Sequence, residues 1–90
     1  MEEVFTYKNY ACMYENEGHN YYRGYIRIPK WNEFCQLIRK KGEHMFKPIS
    51  ISFRGFKNEK WGNCIGICDE NHANIETGLR AIVDKLEVIK

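Results

Sequence analysis

Several things are scarce or missing in this chain, and each absence closes off a class of protein. No apolar run approaches the roughly 20 residues that span a bilayer. No charged start followed by an apolar core and a small-residue cleavage site opens the sequence. The expectation is a soluble, cytoplasmic protein with no membrane partner. Gly-rich phosphate loops, nucleophile elbows and paired-carboxylate motifs are all absent. Leucine is confined to Leu37, Leu79 and Leu86. The buried volume must therefore come from Ile, Tyr, Phe and Trp, a mix that favours sheet.

What is present is enough to build a core. Of 90 residues, 43% are hydrophobic and 14% aromatic, which argues against disorder. No repeat, low-complexity tract or linker divides them, so a single domain over 1–90 is expected. That length is near the lower end of what one core stabilises without help. The four cysteines, Cys12, Cys35, Cys64 and Cys68, lack secreted-scaffold spacing and read as reduced thiols, mostly small core side chains.

The net charge of +2 conceals an uneven distribution. Residues 1–19 set Lys8 against Glu2, Glu3, Glu15 and Glu17, a balance of −3. Residues 20–68 carry +7, and residues 69–90 carry −2. A basic middle is compatible with an anionic partner but too modest to require one.

Two short strands are expected at 2–8 and 10–15, with a turn at Lys8-Asn9, followed by a polar connection over 16–20. A third strand begins at Tyr21 and ends at Pro29. Trp31, Phe34, Cys35 and Ile38 make one helical stripe over 30–41, with Arg39, Lys40 and Lys41 in the last turn and Gly42 just past it. Residues 48–56 alternate as a fourth strand, with Ile49, Ile51 and Phe53 on one side and Ser50, Ser52, Arg54 and Phe56 on the other. Residues 57–63 read as a turn and 64–68 as a short fifth strand. A second helix, starting at about 71 or 75 and ending near 87, has the stripe Ile75, Leu79, Ile82, Val83, Leu86, with Gly78 as its weak point. The order βββαββα predicts an α+β, two-layer sandwich. A mainly antiparallel five-stranded sheet would carry both helices on one face and leave the other open.

The third strand supplies the candidate site. At period two, Tyr22, Gly24, Ile26 and Ile28 form a core row, and Tyr21, Arg23, Tyr25 and Arg27 form an aromatic–cationic row. With Arg54 and Phe56 from the fourth strand, that row would make the open face a contact surface. Tyr and Arg suit protein interfaces, and they also suit single-stranded nucleic acid, where bases stack and guanidinium groups meet phosphate. The plainer reading is a solvated sheet surface steadied by cross-strand Tyr–Arg pairs. Trp61, in the 57–63 turn, either folds back onto a core edge or serves as an anchor.

Chemistry is harder to find. Cys64, Cys68 and His72 recur at four-residue spacing, but strand residues that far apart are separated by about 13 Å. Two thiolates on one zinc must lie within about 4 Å, so no metal site is expected. Cys35 sits on a buried stripe, His19 and His44 in loops, and Asp69 and Glu70 read as caps for the second helix. No enzyme and no cofactor are expected. The favoured function is a small non-catalytic binding protein of adaptor or inhibitor type, docking on a protein through Tyr21, Arg23, Tyr25, Arg27, Arg54, Phe56 and Trp61. Single-stranded DNA or RNA binding by the same face is the alternative, and a homodimer joined by such faces or by edge strands is the third.

Overall fold

The computed structural model describes residues 2–89. Strands β1 (Glu2–Tyr7), β2 (Tyr10–Gly18) and β3 (Tyr21–Arg27) form a meander. Helix α1 (Trp31–Lys41) and a single 3-10 turn (Glu43–Phe46) lead to β4 (Phe53–Asn58), β5 (Gly62–Asp69) and helix α2 (His72–Ile89). The sheet order is β1-β2-β3-β5-β4, and every neighbouring pair is antiparallel. The expected α+β architecture and the order βββαββα are therefore present.

Local chemistry explains the turns. Lys8 and Asn9 both take positive φ (49° and 71°), as do His19 and Asn20 (50° and 59°), giving two tight hairpins whose twist matches that of strands. Because β2 runs on to Gly18, the second connection is shorter than the polar composition of 16–20 suggests. Gly42 follows α1 at φ 79° and donates its N–H to the Ile38 carbonyl. Asn71 caps α2, accepting the Ala73 N–H at 2.7 Å, while Asp69 accepts from the Asn71 N–H. The capping oxygen of α2 thus comes from Asn71 rather than from Asp69 or Glu70, and Asp69 instead holds the Asn71 N–H.

The main core lies between the sheet and the helices. Cys12, Ile26, Ile28, Ile65 and Ile67 meet Ile75, Leu79, Ile82, Val83 and Leu86 of α2 and Phe34 and Phe46 of the α1 region. The whole predicted stripe of α2 is buried, since this helix lies across β2, β3 and β5. In α1 only Phe34 is buried, stacked between Trp31 and Phe46. That helix sits at the margin of the layer, leaving a groove of about 320 Å³ lined by Tyr10, Ile28, Phe34, Leu37 and Leu86.

Two expectations fail. The fourth strand begins at Phe53, not at 48, and the chain before it is irregular. Ile49 and Ile51 still pack on the main core, but the alternation does not carry through Ser52. Phe53 pairs with Gly66, which pairs with Tyr25, so Phe53 lies on Tyr25's side of the sheet. Arg54 and Phe56 point to the opposite, helix-bearing side, the reverse of the predicted assignment.

Nor does the other sheet face stay open. The sheet coils so strongly that strands remote in the order touch. Glu2 of β1 reaches Lys60 in the β4–β5 turn at 3.8 Å, and Glu15 of β2 reaches Lys57 of β4 at 3.6 Å. Inside this curl Met13, Tyr25, Trp61 and Cys64 form a second core, with Ala11 and Phe53 against it.

Candidate functional site

The aromatic–cationic row of β3 has the predicted parity, but it is not one exposed surface. Tyr25 is only 7% exposed and meets Phe53 edge-on at 5.7 Å, with the Lys57 ammonium 4.6 Å above its ring. Trp61 is 4% exposed, which settles its two readings in favour of folding back onto a core edge. Its backbone N–H is held by the Asn58 side chain at 2.8 Å, while its indole Nε1 is buried without a hydrogen-bond partner among the described residues. Arg27 is absorbed by the same hairpin. Its Nε donates to the Trp61 carbonyl at 3.2 Å, its Nη2 donates to the Lys60 carbonyl at 2.8 Å, and its guanidinium lies 4.9 Å from the Trp61 ring. These three residues close the curl.

At the far end of β3, Tyr21 and Arg23 remain accessible. The Arg23 guanidinium is 5.8 Å from the Tyr21 ring and 4.0 Å from the Glu17 carboxylate. A hydrogen bond with the Tyr25 hydroxyl, and then the negative charge that phenol can take, raise the Arg23 pKa above its ordinary value. Tyr21 is raised in turn by its hydrogen bond with the exposed Cys68 thiol. This corner is small and tethered on both sides.

Arg54 and Phe56 form a separate site on the other side of the sheet. They belong to β4, whose only partner strand is β5, so its outer edge is unpaired among the described residues. Phe56 is 62% exposed, and Arg54 is held by Glu43 at 3.1 Å. An accessible ring and a fixed guanidinium on the same side of a bare edge can contact a protein strand through main chain and side chains together.

Charge placement bears on what such a surface attracts. The acidic start of the chain folds onto its basic middle: Glu2, Glu15 and Glu17 pair with Lys60, Lys57 and Arg23. The acidic start is thereby set against three cations of the basic middle. Among the described residues no three His, Cys, Asp or Glu side chains converge as a metal would require, and no helix is long and apolar enough to cross a membrane. Cys64 is buried and Cys68 is exposed at the other end of β5.

Sequence reasoning missed the Lys57–Tyr25–Glu15 latch, which joins residues 15, 25 and 57 and has no local signal. It also missed the groove beside α1. The one hint there was Leu37, an apolar residue outside the helix's stripe. No family model, curated protein or solved structure matches this chain.

Proposed function

We propose that this chain is a non-catalytic binding domain, of adaptor or inhibitor type, that docks on a protein partner through the outer edge of β4. The observation that carries this reading is Phe56, a large ring 62% exposed on an edge strand whose outer side has no partner strand among the described residues. Soluble proteins ordinarily blunt such edges with charge or cover them. An extended segment of the partner adds to the sheet, Phe56 is the anchor, and Arg54, fixed by Glu43, supplies a polar contact at its side. The reading includes a reducing, cytoplasmic setting, in keeping with four free cysteines.

Binding of single-stranded nucleic acid by the aromatic–cationic row gains no such support. Its central ring is buried, one guanidinium is engaged by main-chain carbonyls, and the cations around it face carboxylates. Affinity capture from native cell extract, with and without nuclease, tests the proposal. The expected result is a captured protein that survives nuclease and is lost with Phe56→Ala, at about 30-fold weaker binding or more, yet is retained with Tyr21→Ala. Captured material that vanishes with nuclease, or that ignores Phe56→Ala, would replace this reading.

A further inference from the structure

The β4 edge is self-complementary. Resting on the reading of that edge as a docking strand, we infer that a second copy of the chain occupies it when no other partner is present, the two β4 strands running antiparallel about a two-fold axis at Gly55.

Symmetry and side-chain chemistry limit the registers. A two-fold axis perpendicular to the sheet keeps each strand's faces in place, so it must pass beside a residue. Centred on Arg54, the pairing would put two guanidinium groups face to face, a like-charge opposition. Centred on Phe56, the new ladder would run at once into the register shift between Phe56 and Asn58. Centred on Gly55, the central pairs use residues 54–56, which precede that shift, and no side chain stands at the axis, where Gly55 takes φ 150°. Arg54 then lies opposite the partner's Phe56, and Phe56 opposite the partner's Arg54, on the helix-bearing side of both strands. Each pair sets a guanidinium against the face of a ring. On the opposite side, Phe53 meets the stem of the partner's Lys57, whose ammonium is already held over Tyr25 by Glu15. Glu43 positions Arg54 without enclosing it, since both side chains stay more than 40% exposed.

The pairing also ties occupancy to concentration. A copy seated on β4 covers Phe56, so a protein partner must displace it, and free chain competes with itself for the edge.

Sedimentation equilibrium from micromolar to millimolar concentration tests this. The expected result is a reversible rise from one 10.8 kDa chain to two. Phe56→Lys sets a cation against the partner's Arg54 and is expected to weaken dimerisation at least tenfold. Phe56→Glu sets a carboxylate there and is expected to retain the dimer, now with marked salt sensitivity. Both changes are at an exposed position, and unchanged melting temperatures would show that the variants fold. A wild-type chain that stays monomeric to millimolar concentration overturns the inference. So does a dimer that Phe56→Lys and Phe56→Glu weaken equally, or that neither affects. The capture experiment fails independently: a monomeric chain that still captures protein through Phe56 loses only the self-pairing, and a dimer that captures nothing loses only the external partner.

Discussion

Gly24 lies in the middle of β3, and its contribution is the space it leaves. A Cβ there would come within 2.5 Å of Ile75 Cγ2 and 3.0 Å of Leu79 Cδ1, both on α2. One strand over, a Cβ on Gly66 would press on the Gly24 carbonyl and the Tyr25 ring. The sheet is thinned at its centre so that α2 can settle on one face and Tyr25 on the other. Gly24→Ala would relieve a strand of its most flexible residue, yet overpacking against α2 should dominate. The expected outcome in urea denaturation is a loss of about 1–3 kcal/mol. No loss would mean that α2 shifts freely on the sheet. Cys12, fully buried in the same layer, makes a second residue-scale prediction. Burial pushes its thiol up to about 11, with Arg80 opposing slightly. The folded pKa lies above the ordinary value of 9.0, so this contribution to stability is complete below about pH 9 and is lost as pH rises toward 11. Comparing wild type with Cys12→Ala should therefore show the gap between their stability curves narrowing over that range. Exposed Cys68 should react with a thiol reagent well before Cys12 or Cys64.

At the scale of elements, the β4–β5 hairpin does what no local pattern announced. The period of β3 gave its inward row correctly, and the 3.6-residue stripe of α2 was read down to Leu86, because in both cases one face must be apolar for the element to pack. In α1 the same rule identified the helix but overstated its burial, since a stripe does not tell how centrally a helix sits. The alternation of Ile49, Ser50, Ile51 and Ser52 imitates a strand while the chain is still leaving the 3-10 turn, and that displaced Arg54 and Phe56 to the wrong side. The coiling that buries Tyr25 and Trp61 arises from long-range packing, so no local pattern could show that the seven residues expected on one face divide among the hairpin closure, the Tyr21–Arg23 corner and the β4 edge. Arg27 tests the closure. Its two hydrogen bonds to the hairpin carbonyls leave with Arg27→Ala, and about 1–3 kcal/mol of stability should go with them. Trp61 emission should shift to the red in the same variant, because the ring loses its cover. Lys60→Ala removes only an ion pair whose lysine is 73% exposed, and a change below about 0.5 kcal/mol is expected. Equal losses from the two would mean that surface charge, not the Arg27 strap, holds the hairpin down.

Across the whole molecule, the acidic start of the chain lies on its basic middle. The exposed pairs Glu2–Lys60 and Glu17–Arg23 each add little stability on their own, and Glu15–Lys57 is the most covered of the three pairs. Their joint effect is on the potential that a distant partner meets, because three cations close to the aromatic row no longer project unopposed charge. The cations that make no ion pair among the described residues include Arg39, Lys40, Lys41 and Lys47, near the end of α1. A polyanion approaching the β3 row thus meets cations that carboxylates already oppose. Fluorescence anisotropy with a labelled oligothymidine should accordingly give a Kd of about 100 µM or weaker at physiological salt. Replacing Glu2, Glu15 and Glu17 by Gln raises the net charge from +2 to +5 and unmasks Lys60, Lys57 and Arg23 together. Binding should then tighten, and the dependence on salt should steepen by about 2–3 in log–log slope, as expected for about three newly available phosphate contacts. A wild-type chain that already binds tightly, with a slope the triple variant leaves unchanged, would mean that the carboxylates do not shield these cations and that nucleic acid belongs ahead of protein as the partner.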